Sequence, residues 1–166
     1  MRIVLFEPEI PQNTGNISRT CAAVGIDLYL VGKMGFSIEE KWVRRAGLDY
    51  WDKVNICRYR EPEMLDTLLA EGDFYLASTH GGVNYADVSY SENATLVFGR
   101  ESAGLPHELL QKYPDRVIRI PMRPDIRSLN LSNAVAIVAF EALRQQGFPG
   151  LTPRQGEREG LNFETP

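Results

Sequence analysis

Leu96-Val97-Phe98-Gly99-Arg100-Glu101-Ser102-Ala103-Gly104-Leu105-Pro106 reads as the end of a strand running directly into a loop. The strand spans Ala94 to Phe98 and the glycine-bearing loop Gly99 to Gly104. Gly99 and Gly104 allow a backbone to approach a ligand closely, and Pro106 is suited to open a short helix. Strand-like and helix-like segments alternate on either side of this stretch. Arg2–Phe6 is a strand stopped by Glu7-Pro8, and Asn13–Val24 is a helix ended by Gly25 with Ile17, Cys21 and Val24 on one face. Asp27–Val31 and Val54–Cys57 read as strands, with a capping-box helix from Ser37 and Glu40 through Arg45 between them. A helix over Pro62–Leu69 and strands over Asp73–Ser78 and Arg116–Ile120 complete the set. Such alternation predicts an α/β domain with a mainly parallel sheet flanked by helices, whose ligands sit at the carboxyl ends of the strands.

The last helix, Leu131 to Gln146, has an unbroken apolar run from Ala134 to Phe140, a girdle rather than a stripe. Something besides the sheet must cover its second side. A second copy of the chain is the simplest candidate, and a helix sandwiched inside the monomer is the alternative. Residues 1–150 are read as one domain; residues 151–166, rich in Pro, Gly and charge, are expected to be a mobile tail.

With 166 residues, 43% of them hydrophobic and 24% charged, the chain can form a core without staples. Cys21 and Cys57 stand in no CxxC or Cys/His spacing, so no metal site or disulfide framework is indicated. The apolar opening is too short for a signal core or membrane span, and the expected location is the cytoplasm. A net charge of -4 argues against coating nucleic acid through bulk electrostatics but leaves room for a local basic patch.

Several catalytic arrangements are excluded by a missing residue. Leu105-Pro106 replaces the Lys and Ser/Thr of a phosphate loop, and Arg100 stands where a nucleophile elbow at Ser102 needs glycine. His107-Glu108 starts a zincin-like pattern, but Gln111 occupies the second histidine position, so both histidines read as structural or solvent-facing. No GxGxxG follows the first strand, which disfavours a metabolic enzyme with a dinucleotide cofactor.

Three segments combine polar side chains with permissive backbone at strand ends: Pro11-Gln12-Asn13-Thr14-Gly15-Asn16-Ile17-Ser18-Arg19-Thr20, the Leu96–Pro106 stretch, and Ile120-Pro121-Met122 through Ser128-Leu129-Asn130-Leu131-Ser132-Asn133. Each alone reads as turn and cap chemistry. In this order and spacing they resemble the three motifs of the SPOUT methyltransferases. From Arg2 to about Gly150 the chain is similar to the small tRNA (cytidine/uridine-2'-O-)-methyltransferases that modify the wobble nucleotide.

The resemblance implies a deep trefoil knot in the C-terminal half, a homodimer with active sites shared across its interface, and S-adenosylmethionine as cofactor, leaving S-adenosylhomocysteine. It implies a tRNA substrate, with leucine tRNAs expected, and no metal. Ala77, Gly99, Ile120 and Ser128 would hold the cofactor, with Met122, Leu129 and Leu131 beside it, while Arg19, Asn13, Glu101, Ser128 and Asn130 would form the catalytic set. A guanidinium stays protonated, so Arg19 suits orienting a phosphate and stabilising a developing alkoxide better than acting as a base. The base is then an RNA phosphate or Glu101. The other readings are a noncatalytic knotted RNA-binding or assembly factor and a SPOUT enzyme acting on a different RNA nucleotide.

Overall fold

The computed structural model describes residues 1–36 and 53–152. The capping-box helix expected from Ser37 and the tail beyond residue 152 lie outside the described residues. The elements are β1 (Arg2–Phe6), α1 (Pro11–Val24), β2 (Asp27–Val31), β3 (Ile56–Tyr59), α2 (Met64–Ala70), β4 (Phe74–Ala77), β5 (Val83–Asn84), β6 (Thr95–Phe98), α3 (His107–Lys112), β7 (Val117–Arg119) and α4 (Leu131–Gln145). A single 3-10 turn, Pro114–Arg116, leads into β7.

The strands form one seven-stranded sheet in the order β3-β2-β1-β6-β4-β7-β5. Every pairing is parallel. Strand β1 lies between β2 and β6, with Ile3 opposite Leu28 on one side and Leu96 on the other. Parallel sheets are covered on both faces, and this explains the continuous apolar runs that mark β1 and β6 in the sequence. Alternate residues of β1 serve the two cores. Ile3 and Leu5 join Ile17 and Cys21 of α1 and Val135, Val138 and Ala139 of α4. Val4 and Phe6 join Leu65, Leu68 and Leu69 of α2 on the opposite face. Burial pushes the Cys21 thiol up to about 12, so it packs as an inert apolar group.

The expected elements are present with shifted ends. Helix α1 starts two residues before Asn13, because Pro11 occupies a first-turn position where its missing N–H costs nothing. It ends as expected at Gly25, whose φ of 68° suits the left-handed cap. Strand β3 begins at Ile56 rather than Val54. Strand β5 was not foreseen: two half-buried residues at the sheet edge leave no periodic signal.

The order of the last strands sets up the site. The chain leaves β4, forms β5 at the edge, returns to β6 on the far side of β4, and only then places β7 between β4 and β5. The earlier β4–β5 connection therefore closes against β7. The Ser78 N–H donates to the Ile118 carbonyl at 3.0 Å, and the Tyr85 N–H to the Arg119 carbonyl at 3.0 Å. A Cβ on Gly81 would stand 2.8 Å from the Ile118 carbonyl carbon and oxygen, whereas one on neighbouring Gly82 would meet nothing within 4 Å. Gly81→Ala should lower unfolding free energy by about 1–3 kcal/mol through overpacking against backbone. Gly82→Ala should stay within about 0.5 kcal/mol of the parent, and urea unfolding of both variants measures the contrast.

Candidate active site

A cavity of about 770 Å³ opens where the carboxyl ends of β4, β6 and β7 meet the start of α4. This is the position that the strand-end rule assigns to ligands of an open parallel sheet. All seven residues expected to hold a cofactor line it: Ala77 at the end of β4, Gly99 after β6, Ile120 and Met122 after β7, then Ser128, Leu129 and Leu131. Ile118, Ala134 and Val138 add apolar surface from β7 and α4.

Gly99 is fixed by the backbone it faces. A Cβ there would lie 2.1 Å from the Gly104 carbonyl carbon and 2.2 Å from the Leu105 nitrogen, a separation no side chain tolerates. The loop closes on itself through paired hydrogen bonds between Arg100 and Gly104, and Gly104 adopts φ 70°. Glycine is therefore needed at both ends of the loop, once for space and once for conformation.

Three carboxylates tie this loop to the connection between β1 and α1. Glu101 accepts from the Glu9 N–H at 2.9 Å, the Ile10 N–H at 3.2 Å and the Asn13 side-chain amide at 3.1 Å. Glu9 in turn accepts from the Ser102 N–H at 2.9 Å and its hydroxyl at 2.8 Å. Glu7, turned by an unusual φ of 49°, pairs with Arg100. The amides at the start of α1 thus meet an anion belonging to the chain itself, and α1 has no side-chain cap of its own.

The polar chain continues to α4. The Asn130 side-chain amide donates to the Asn13 side-chain carbonyl at 3.0 Å. The Asn130 side-chain carbonyl meanwhile caps α4 by accepting from the Ser132 and Asn133 N–H groups. Glu101, Asn13 and Asn130 therefore form one connected array, and all three line the cavity, as does Ser128. Arg19 is the exception among the expected catalytic residues. It is exposed on α1 and does not line the cavity of its own chain.

Sequence reasoning missed several lining residues, among them Thr79, His80, Tyr85, Arg119 and Arg127. Thr79 and His80 follow the carboxyl end of β4, so the strand-end rule could have included them. The wall at Tyr85 is held by Tyr90, whose hydroxyl donates to the Tyr85 carbonyl at 2.6 Å. Burial, reinforced by Tyr75 and Glu141, pushes the Tyr90 phenol above its usual range and keeps it a donor. Among the described residues no group of three or more His, Cys, Asp or Glu is placed to hold a metal ion.

Residues 1–140 match the SpoU rRNA methylase family. The chain belongs to that family. It is 44% identical over 155 residues to the tRNA (cytidine(34)-2'-O)-methyltransferase of Escherichia coli K12, covering 93% of this chain and 99% of that one. A solved structure concerned with 2-OH methylation of C/U34 on tRNA superposes with a TM-score of 0.82 at 39% identity, over 88% of this chain and 95% of that one. The AdoMet-bound rRNA methyltransferase of Sinorhizobium meliloti gives a TM-score of 0.77 at 31% identity, over 86% of this chain and 55% of that one. The SPOUT resemblance read from the three motifs thus agrees with a SpoU family match that extends through the whole described sheet.

The Glu101–Asn13 contact gives a direct test of the array in this SpoU domain. Asn13→Asp keeps the shape but sets one carboxylate against another, and should cost about 1–3 kcal/mol at pH 7. Adding Glu101→Gln should restore part of that loss, because the new amide can donate to Asp at position 13 but no longer accept from the Ile10 N–H. Thermal unfolding of the two single variants and the double variant reads the coupling.

Proposed function

We propose that this SpoU family member transfers the methyl group of S-adenosylmethionine to the ribose 2'-hydroxyl of nucleotide 34 of tRNA, with leucine tRNAs as substrates and S-adenosylhomocysteine as the other product. The observation that carries the reading is the connected array Glu101, Asn13 and Asn130 on the wall of a cavity lined by every residue expected to hold the cofactor. The names borne by the Escherichia coli relative and the C/U34 structure support the same substrate. No helix among the described residues is long and apolar enough to cross a membrane, and we assign the protein to the cytoplasm with its tRNA.

The cavity fits the cofactor in size and character. Its volume of about 770 Å³ lies within the range of small-molecule sites. Apolar walls from Ile118, Ile120, Leu129 and Leu131 stand beside the polar edge of Ser128 and Asn130, as a molecule with an adenine and a zwitterionic end requires. When bound, S-adenosylmethionine supplies an already activated methyl group, so no metal is needed. The chain's own task is to present the 2'-oxygen in line and to help its proton leave.

Glu101 is ill-suited to take that proton, because both carboxylate oxygens already accept from N–H donors. Its role in this reading is to position Asn13, and through Asn13 the side chain of Asn130. That leaves an RNA phosphate as the proton acceptor, with Arg19 orienting it and stabilising the developing alkoxide.

The placement of Arg19 supports a homodimer with composite sites. Gln12, Asn16, Arg19 and Ala23 make an exposed stripe along α1, and Asn133, Ile137, Phe140 and Arg144 make another along α4. Ile137 is 36% and Phe140 46% exposed, which is where the apolar girdle lacks cover within one chain. A second copy laid on these stripes would cover the apolar residues and carry Arg19 toward the partner's cavity. We also read the β4–β5 connection closed over β7 as part of the trefoil knot of this fold.

Labelled methyl transfer to tRNA, followed by nucleoside mass spectrometry, tests the central proposal; an unmodified 2'-hydroxyl at position 34 would overturn it. Arg19→Ala should reduce methyl transfer at least about tenfold while cofactor affinity by calorimetry stays nearly unchanged, the pattern of a group acting in the transition state. Coexpressed heterodimers of Arg19→Ala with Ser128→Trp, a bulky block on the exposed edge of the cavity, should recover about half the parental activity, since both lesions fall in one composite site and leave the other intact. Heterodimers as inactive as both parents would assign Arg19 to its own chain's site.

A further inference from the structure

The only two histidines of the chain, His80 and His107, come from different connections, one after β4 and the other opening α3, yet they line the same second cavity. Its volume is about 410 Å³, and the remaining polar side chain on its wall is Arg100. Ala103, Gly104, Leu105, Pro106 and Leu110 complete it, so among the described residues no acidic side chain lines it. His80, Arg100 and His107 are all exposed. Glu7 holds the Arg100 guanidinium but is not part of the lining.

This second cavity shares its edge with the first. His80, Arg100, Ala103, Gly104, Leu105 and Leu110 border both, whereas His107 borders the second alone. A ligand that extends out of the first cavity past the Gly99–Leu105 loop therefore meets three nitrogen-bearing side chains and, among the described residues of that lining, no carboxylate.

We propose that this annex is a phosphate subsite for the substrate RNA: His80, Arg100 and His107 receive a backbone phosphate of a nucleotide adjoining the one whose ribose enters the first cavity. The proposal rests on the reading of the protein as an RNA 2'-O-methyltransferase and adds to it a contact outside the three motifs. The chemistry favours a phosphodiester. Imidazole and guanidinium N–H groups donate to anionic oxygens, and no carboxylate among the described lining residues opposes a phosphate there. An RNA strand also supplies phosphates at regular spacing next to the reacting ribose. A chain of net charge -4 needs such local sites to hold RNA at all.

The test uses His107→Ala in the full-length protein, because His107 lies outside the cofactor cavity and on the surface, where truncation spares the core. Steady-state methyl transfer to tRNA should show KM for tRNA raised about fivefold, with kcat and S-adenosylmethionine affinity within about twofold of the parent. His107→Arg should restore the low KM and steepen the dependence of RNA affinity on salt by a slope of up to about one, as an added phosphate contact requires. His80→Ala should raise KM similarly, and the double variant should lose less than the product of the two single effects, since both side chains serve one phosphate. An unchanged tRNA KM in both single variants would overturn the subsite. So would weakened S-adenosylmethionine binding at unchanged tRNA KM, which would assign the annex to the cofactor. Wild-type protein that transfers no methyl to tRNA would defeat the functional reading and the subsite together, an outcome distinct from active wild type with indifferent variants.

Discussion

The hydrogen bonds made by the Glu101 carboxylate hold the site in one piece. They join residues 88 to 92 positions apart, bringing the loop after β6 against Glu9, Ile10 and Asn13 at the start of α1. A buried or half-buried carboxylate is costly unless its oxygens are occupied, and here backbone and amide N–H groups occupy both. Asn13 is then oriented on one side by Glu101 and on the other by Asn130, which also caps α4. Three elements from distant parts of the chain are fixed by one charge, and the cavity between them is pre-formed. Preorganisation of this kind suits a reaction whose main demand is alignment.

The sheet makes that charge placement possible. Placing β7 between β4 and β5 forces the β4–β5 connection to lie against the backbone at Ile118, with glycine at position 81. The same insertion puts Ile120 and Met122 on the wall of the cavity that Gly99 also lines, although β6 and β7 are not neighbours in the sheet. Close backbone approach recurs at Gly99, where the contact is with Gly104 and Leu105. Both positions exclude a side chain because another main chain already occupies the space.

The strands were legible because a parallel sheet buries both faces, and Ile3–Phe6 and Leu96–Phe98 are almost wholly inaccessible. Strand β5 was not, since Val83 and Asn84 owe their conformation to pairing with Ile118 and Arg119, a partner 35 residues later in the chain. The candidate site was legible through family resemblance rather than through local pattern. Asn13 and Asn130 are 117 residues apart, and nothing in the spacing of either says that their amides meet. The apolar run of α4 predicted a second covered side, and the structure locates the uncovered part at Ile137 and Phe140. His80 and His107 read as structural or solvent-facing because one follows β4 and the other opens α3, 27 positions apart in the sequence; only the fold brings them to one cavity.

Charge is partitioned around the cavity in a way that composition alone conceals. The chain as a whole is acidic, yet among the described residues lining the main cavity Glu101 is the single carboxylate, alongside Arg100, Arg119 and Arg127. Glu101 is engaged by three donors. The two nearest acids in sequence to the start of α1, Glu7 and Glu9, are likewise turned onto Arg100 and Ser102. Negative charge near the site is thus met by internal donors and by the Arg100 guanidinium, which weakens the repulsion an approaching phosphate feels. Arg119 and Arg127 keep their place on the wall, so the local field at the mouth can favour an anion while the net charge of the protein repels one at long range. With a Debye length near 8 Å at physiological salt, the nearby arginines outweigh acids on the remote faces, and an acidic pI is compatible with RNA as the substrate.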